Sequence, residues 1–292
     1  MGLVSGLEHI VRFEEPLSQH TWLRLGGPAS YFAEPTTPEE LSTLVRRCRE
    51  QDTPVRLLGH GSNVLVRDEG FQGVVVHLGA PAFCEIRVEK NMLSVGGGTS
   101  LTHTISSAVR EGLAGLETLV GIPGSVGAAL HGNSGRQHAD IGQYTHAAVT
   151  MTRTGEIIRR KREDLQFSYR QSSLNELVIL GAEFHLESED PVVLTKRMQE
   201  LWIVAKSKQP AGDQVAGRIF KNPHGILAAD LIDQAGLKGT SVGAAQVSER
   251  NANYIVAHPG ATVDDVLTLI EQTRTKVASE LDIELETDIE VW

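Results

Sequence analysis

Residues 57–78 read LLGHGSNVLVRDEGFQGVVVHL, and this stretch contains the first of three loops that are rich in glycine. Glycine loop 1 covers residues 59–63, glycine loop 2 covers residues 96–100 (GGGTS) and glycine loop 3 covers residues 121–127 (GIPGSVG). Glycine adopts positive φ and lets backbone N–H groups approach phosphate oxygens closely, although any single loop of this kind can simply be a turn. The three loops are therefore candidates for a phosphate site, and the elements around them indicate which fold would form it.

A Rossmann dinucleotide-binding fold requires a strand, the pattern GxGxxG and then a helix. Glycine loop 1 is followed by Val64-Leu65-Val66-Arg67, which has the composition of a strand rather than a helix. Glycine loop 2 precedes a predicted helix, but Leu101 stands where the last glycine of the pattern is needed. If these loops hold a dinucleotide, they do so in a different fold.

The predicted secondary structure mixes helices and strands without a regular βαβ rhythm, which favours the α+β class over one doubly wound sheet. Thr37 and Glu40 form a capping box that predicts a helix start at Pro38. Other helices are predicted at residues 100–112, 190–208 and 226–235 and after Thr262, and strands at 55–58, 64–66, 74–78, 93–95 and within 145–186, with a turn at Thr154-Gly155.

Bulk properties exclude several classes of function. The chain has 292 residues, which predicts two or three lobes, and a net charge of −10, which argues against a nucleic-acid partner. Its two cysteines, Cys48 and Cys84, form neither a disulfide framework nor a metal-ligand cluster, so no metal is expected. The sequence contains neither a signal-peptide pattern nor an apolar run of 18 residues, so we expect a cytoplasmic protein without a membrane span.

From about Pro16 to the C-terminus, a series of blocks resembles the UDP-N-acetylenolpyruvoylglucosamine reductase (UDP-N-acetylmuramate dehydrogenase) family, in the right order. The combination of GSN-x-L-V-x-D-x-G with GIPG-x-VG is highly specific, and the length suggests the subclass without the extra substrate-covering loop. The blocks are LRLGGPASYFAEP (23–35), residues 57–78, GLETLVGIPGSVGAALHGNSG (115–135), FSYRQSS (167–173), GRIFKNP (217–223), LIDQAGLKGTSVGAAQVSERNANYIV (231–256) and ELETDIEV (284–291).

The resemblance implies three lobes. Residues 1–80 and 81–200 would form a vanillyl-alcohol-oxidase-type FAD-binding unit, and residues 201–292 would bind the UDP-linked amino sugar, with the last residues free to return to the first lobe. It also implies that NADPH reduces a noncovalent FAD, which passes hydride to the enolpyruvyl double bond. The product, UDP-N-acetylmuramate, is a peptidoglycan precursor, so a role in cell wall biogenesis, cell shape and cell division follows.

The family's functional residues are carried over only where the motifs match. Arg170 matches the catalytic arginine, whose cation would stabilise negative charge beside the substrate carboxylate. Tyr169, Lys208 and Asn222 fall where the family contacts its substrate. His60 and His131 lie within or beside the loops and are interpreted as hydrogen-bonding or packing residues. The residues predicted to bind FAD are Gly59, His60, Gly61, Ser62, Asn63, Gly121, Ile122, Pro123, Gly124, Ser125, Val126, Gly127 and Asn133.

Two positions depart from the family pattern. The family has a Ser or Cys proton donor in A-G-[SC]-x-F-K-N-P, whereas residues 216–223 read AGRIFKNP and place Arg218 at the donor position. Arginine cannot be a practical acid near neutral pH. The family's C-terminal glutamate corresponds to Asp288, which is one methylene shorter, and Glu290 is an alternative counterpart on the same face of a strand.

Three functional hypotheses stay open at this level. The first is a working reductase whose proton comes from water or another residue. The second is a catalytically weak or inactive homologue that binds FAD or the UDP-sugar. The third is another flavin dehydrogenase of the same broad fold, against which FKNP and AQVSERNAN argue, because these blocks belong to the substrate lobe of the reductase.

Overall fold

Helices and strands alternate irregularly in the computed structural model, which describes residues 2–136, 139–210 and 218–292. The α+β class predicted from the sequence is confirmed. The α-helices are α1 (Pro38–Glu50), α2 (Leu101–Arg110), α3 (Val126–His131), α4 (Ile141–Tyr144), α5 (Pro191–Ser207), α6 (Ala228–Gln234) and α7 (Val263–Leu281). The strands are β1 (Val11–Pro16), β2 (Pro28–Ala33), β3 (Val55–Leu57), β4 (Val64–Leu65), β5 (Phe71–Val76), β6 (Ile86–Glu89), β7 (Met92–Gly96), β8 (Leu113–Ala114), β9 (Gly135–Arg136), β10 (Ala139–Asp140), β11 (Thr145–Met151), β12 (Ile157–Lys161), β13 (Phe167–Ser168), β14 (Gln171–Ser172), β15 (Val178–His185), β16 (Glu187–Ser188), β17 (Ser241–Val242), β18 (Ala245–Val247), β19 (Ile255–Ala257) and β20 (Glu290–Val291).

The chain divides into two compact units, each assembled from discontinuous segments. Unit 1 comprises Met1–Glu15, Ala29–His60 and Gln72–Ala205, and unit 2 comprises Pro16–Pro28, Gly61–Phe71 and Lys206–Trp292. The boundaries predicted for three lobes at residues 80 and 200 stay a prediction. Glycine loop 1 spans the division, because its first two residues belong to unit 1 and its last three to unit 2.

Unit 1 contains the two largest sheets of the described residues. The five-stranded sheet has the order β12-β11-β15-β7-β6 and is antiparallel throughout. It packs on α2 and α3 through a core that includes Leu93, Leu101, Ile105 and Phe184. The four-stranded sheet has the order β1-β2-β5-β3, and β3 and β5 pair in parallel.

Helix α1 closes the core of the four-stranded sheet, as its sequence pattern predicts. Thr37 Oγ1 accepts a hydrogen bond from Glu40 N at 3.2 Å, and the Glu40 carboxylate accepts one from Thr37 N at 3.3 Å, which confirms the capping box. Leu41 and Leu44 are fully buried in this core. Each such side chain stabilises the fold by about 1.5–3 kcal/mol relative to an exposed one.

Unit 2 combines the antiparallel sheet β17-β18-β19 with α6 and α7. Strand β20, near the C-terminus, pairs in parallel with β4, which directly follows glycine loop 1. Thr262 caps α7 through Asp265 N at 3.1 Å, as predicted. Val263, Val266, Ile270 and Val277 of this helix are buried in the core, and Leu267 is partly buried against it.

Two other predictions differ in detail, and a third is largely untested. The helix predicted at residues 226–235 begins at Ala228, because a 3-10 turn, Pro223–Gly225, precedes it. The tail is strand only at β20, with one isolated bridge between Thr287 and Phe220. The loop predicted over residues 210–222 falls largely on residues 211–217, which lie outside the described residues.

Candidate functional site

In unit 1, the first two residues of glycine loop 1 meet glycine loops 2 and 3, although these segments are far apart in the sequence. Gly127 N of loop 3 donates a hydrogen bond to Gly97 O of loop 2 at 2.8 Å. Gly59 of loop 1 lies against loop 3 so closely that an added Cβ would come within 2.7 Å of Ser125 Oγ. The sequence gives no sign that the loops are neighbours, whereas the fold gathers Gly59, His60 and the whole of loops 2 and 3 into one unit.

His60 connects loop 1 with loop 2. Its half-buried ring forms a hydrogen bond with the backbone of Gly98. Burial and the neighbouring His77 lower the pKa of His60, so the ring is neutral near pH 7. His77 in turn bonds Glu34 Oε1 at 3.1 Å. The interpretation of His60 as a hydrogen-bonding residue agrees with this geometry.

Glycine loop 3 has backbone that fits the pyrophosphate of a dinucleotide. Gly121 and Gly124 have φ values of +83° and +117°, and the backbone from Gly121 to Gly124 is half-buried rather than enclosed. None of the three loops contains an acidic side chain. A diphosphate would therefore meet turning backbone without carboxylate repulsion, which is the chemistry an FAD site requires.

Arg170 lies in a two-residue turn with Tyr169, between β13 and β14. Its φ is +58°, in the left-handed region that costs a residue with a Cβ about 1–2 kcal/mol. Its guanidinium carbon lies 5.9 Å from the centre of the Tyr169 ring, and Tyr169 is 55% exposed. Seven other non-glycine residues in the described part of the chain have positive φ, including Lys90 in the β6–β7 turn, so this conformation by itself is that of an ordinary turn.

Asn133 and His131 hold this turn in place. Asn133, which is 3% exposed, donates from Nδ2 to Ser168 O at 2.8 Å and accepts at Oδ1 from Gly142 N at 3.1 Å. Ser172 Oγ donates to His131 O at 2.9 Å. A direct contact between Asn133 and FAD stays a prediction, because its amide is engaged with the protein itself.

In unit 2, the two altered family positions lie on adjacent segments. Asp288 N donates to Ile219 O at 2.7 Å, and Ile219 is the residue that follows Arg218. Arg218 and Asp288 are both half-buried. Ala216 and Gly217 of the same motif lie outside the described residues.

The last residue of glycine loop 1 contacts the C-terminal tail. Asn63 Nδ2 donates to Asp288 O at 2.8 Å, and Glu290 N donates to Asn63 O at 3.0 Å. The Glu290 carboxylate is exposed and accepts from Trp292 Nε1 at 3.3 Å. Asp288 and Glu290 both stay predicted counterparts of the family's carboxylate, and the backbone of Asp288 is the one bonded to Ile219, next to Arg218.

Asn253 was not singled out from the sequence, although it lies in the block AQVSERNAN. It is 2% exposed, and its side chain bonds both Phe220 N and Phe220 O at 2.8 Å. The amide thereby makes the two backbone hydrogen bonds that a neighbouring strand would otherwise make to Phe220, in the FKNP segment. A buried asparagine with both amide atoms satisfied by one residue has no local sequence signal, because its partner is 33 residues away.

The predicted substrate contacts in unit 2 have identifiable structural neighbours. Asn222 Oδ1 accepts from Ala228 N at 3.1 Å and so caps α6. Lys208 is exposed, and its carbonyl accepts from Asn251 Nδ2 at 3.1 Å. Neither geometry excludes a substrate contact by the same residue, and both roles stay predictions.

The described residues contain neither a candidate metal site nor a candidate membrane-spanning helix. Within the described ranges, His, Cys, Asp and Glu form no group of three or more that could hold a metal ion. Among the helices in these same ranges, none has the length and apolar character needed to cross a membrane.

Comparisons with known proteins agree along the whole chain. Residues 209–292 match the family model described as UDP-N-acetylenolpyruvoylglucosamine reductase, C-terminal domain, and residues 29–160 match the one described as FAD binding domain. The chain is 38% identical to a UDP-N-acetylenolpyruvoylglucosamine reductase of Rhodopirellula baltica, over 98% of this chain and 94% of that protein. It is 40% identical to one from Heliobacterium modesticaldum, over 95% and 89% of the two chains.

Solved structures give the same result for the fold. The crystal structure of UDP-N-acetylenolpyruvylglucosamine reductase from Thermus caldophilus matches with a TM-score of 0.81 and 35% identity, over 97% of this chain and 98% of that chain. A chitooligosaccharide oxidase matches with a TM-score of 0.58 and 14% identity, over 92% and 84%, which supports a shared fold alone. This chain therefore belongs to the UDP-N-acetylenolpyruvoylglucosamine reductase family.

Proposed function

We propose that this protein is an FAD-dependent reductase that uses NADPH to convert UDP-N-acetylenolpyruvoylglucosamine to UDP-N-acetylmuramate. The observation that carries the proposal is the similarity over 98% of the chain to a reductase of that name. The meeting of the three acid-free glycine loops supports the FAD part. The place of Arg170 in FSYRQSS, in a hairpin that bonds to Asn133 and His131, supports the catalytic part.

FAD, held noncovalently by the glycine loops, would supply hydride transfer from NADPH to the enolpyruvyl double bond. The assignment of Gly59, His60 and loop 3 to its diphosphate is supported by the partial exposure of Gly59, His60 and residues 121–124 and by the bond from the His60 ring to Gly98. Because His60 is neutral, it would contribute no positive charge to the site. Backbone N–H groups would then provide most of the attraction for the phosphates.

Arg170 is the residue to which we assign charge stabilisation. Hydride addition next to a carboxylate places developing negative charge on the substrate, and a preoriented guanidinium stabilises that charge without reorganisation. Tyr169 beside it, together with Lys208 and Asn222, would bind the UDP-linked sugar. Residues 201–292 would form most of that substrate lobe.

The final protonation is the step that this sequence changes. Arg218 cannot give up a proton near neutral pH, so the proton must come from water or from another group. Asp288 would orient that source, since its backbone is fixed by Ile219 and Asn63.

The cellular role follows from the product. A supply of UDP-N-acetylmuramate would place the protein in peptidoglycan precursor synthesis and, through the cell wall, in cell shape and cell division. We infer a cytoplasmic location from the sequence pattern, and we infer no nucleic-acid partner from the net charge of −10.

A steady-state assay of NADPH oxidation, with and without the enolpyruvyl sugar, tests the proposal. We expect sugar-dependent oxidation and a product two hydrogens heavier than the substrate by mass spectrometry. Arg153→Ala, in the exposed turn between β11 and β12, is the control and should behave as wild type. Sugar that binds without accelerating NADPH oxidation would support the rival hypothesis of an inactive binding homologue, which the full-length similarity to reductases does not favour.

A further inference from the structure

We propose that Asn133 is a positioning residue for Arg170, whose amide holds the strained turn that carries the guanidinium. The inference rests on the proposed function, because it explains how the candidate catalytic arginine keeps its orientation. It differs from the predicted FAD contact of Asn133, since it assigns the side chain to the hairpin rather than to the cofactor.

The amide of Asn133 bonds to the strand that leads into the turn. Nδ2 donates to Ser168 O at 2.8 Å, and Ser168 lies two residues before Arg170. Oδ1 accepts from Gly142 N at 3.1 Å, so the amide bridges α4 and the hairpin. Loss of one hydrogen-bond partner of a buried amide destabilises the fold by about 1–3 kcal/mol. The bond from Asn133 therefore stabilises the observed position of Ser168.

The backbone of Asn133 explains why asparagine stands here. Its φ is +40°, near the left-handed region, which asparagine tolerates better than most residues with a Cβ. The site also requires one donor and one acceptor on a short side chain, which an amide supplies. Aspartate has the same shape and could still accept from Gly142 N, but it would set a carboxylate against the Ser168 carbonyl.

The second strand of the hairpin has its own tie to the same segment. Ser172 Oγ donates to His131 O at 2.9 Å, on the other side of the turn. His131 ends α3, whose N-cap is Ser125 of glycine loop 3. Both strands that flank Arg170 are thus hydrogen-bonded to residues at or just after the end of α3. This helix has six residues and begins at glycine loop 3.

The kinetic test uses Asn133→Asp and separates the two half-reactions by rapid mixing under anaerobic conditions. We expect reduction of bound FAD by NADPH to stay within about 2-fold of wild type, while oxidation of the reduced flavin by the enolpyruvyl sugar slows by about 10-fold or more. Asn91→Asp, at the β6–β7 turn, is the matched control, because its Oδ1 can still accept from Ser188 Oγ and both half-reactions should be unchanged.

A double-mutant cycle shows whether the effect passes through Arg170. In an Arg170→Ala background, Asn133→Asp should slow the sugar half-reaction by less than about 2-fold, because the group it positions is already gone. An equal slowing in both backgrounds, or an equal slowing of both half-reactions in the single variant, would overturn the proposal. If Asn133→Asp does not bind FAD, Ser172→Ala enters the same cycle, and a wild-type rate from that variant counts against the proposal.

Hydrogen exchange measured by mass spectrometry decides the inference separately from the chemistry. Asn133→Asp should exchange faster than wild type in peptides covering residues 166–173, with glycine loop 3 unchanged. Unchanged exchange in that hairpin refutes the positioning role. If the wild-type reduced flavin is not oxidised by the sugar, the proposed function fails, while the exchange result still shows whether Asn133 holds the turn.

Discussion

Replacement of Arg218 by serine is the most informative change in this protein, because, of the two departures from the family pattern, it is the one that removes a proton donor. The variant restores a hydroxyl at the proton-donor position and removes a bulky cation. Reduction of FAD by NADPH requires no proton from this residue and should be unaffected. Oxidation of the reduced flavin by the enolpyruvyl sugar should become faster.

The size of the effect follows from the surroundings of Asp288. A positioned general acid is worth roughly 100- to 10,000-fold in rate. The Asp288 backbone is fixed by Ile219 O at 2.7 Å and by Asn63 Nδ2 at 2.8 Å, so the tail cannot slide to offset the missing methylene. A misplacement of about 1 Å can cost roughly 100-fold, which leaves a gain of about 1- to 100-fold and an expected value near 10-fold.

The assay mixes anaerobic, NADPH-reduced protein with the enolpyruvyl sugar and follows flavin reoxidation. Arg274→Ser, which removes an arginine paired with Glu271 on the surface of α7, is the control and should reoxidise at the wild-type rate. The competing explanation is that Arg218 binds the substrate carboxylate or a phosphate while water supplies the proton. Slower reoxidation in Arg218→Ser than in wild type would refute our reasoning and support that explanation.

The other predictions concern the cofactor, the catalytic arginine and acid stability. Purified protein should be yellow with about one FAD per chain, released into the supernatant by acid precipitation, and colourless protein that takes up no added FAD would contradict the loop assignment. Arg170→Ala should lower turnover by about 100-fold or more with FAD still bound, and unchanged turnover would reject its role. Hydrogen bonding from Thr36 lowers the pKa of Glu40 to about 2, so the stabilisation is complete above the unfolded pKa of about 4.5 and is lost as the pH falls towards 2. Across that window, the unfolding free energy of Glu40→Gln, measured by urea unfolding, should therefore fall by about 1–2 kcal/mol less than that of wild type. An equal fall in both proteins would contradict the assignment.

The parts of the fold that the sequence predicted correctly depend on neighbours within one helical turn. The Thr37–Glu40 capping box and the start of α1 at Pro38 need only residues three apart, and the structure confirms both. The prediction that glycine loop 1 is not a Rossmann loop also depended on adjacent residues only. It is confirmed there, because a strand, β4, and not a helix follows the loop. The start of α6 was wrong by two residues, since the 3-10 turn before it competes with the helix for the same backbone.

Sequence alone determined which residue types are available: acid-free glycine loops, an arginine at position 170, and an arginine in place of a hydroxyl or thiol at position 218. Tertiary structure decided which of them act on one another. Asn133 reaches Ser168 across 35 residues, and Asn63 reaches Asp288 across 225 residues. Amide side chains carry no periodicity that reveals a distant partner, because a hydrogen bond is specified by position in space and not by spacing along the chain. The backbone strain at Arg170 is hidden from the sequence for the same reason, since the hairpin's partners, and not the residue's own preference, hold that φ.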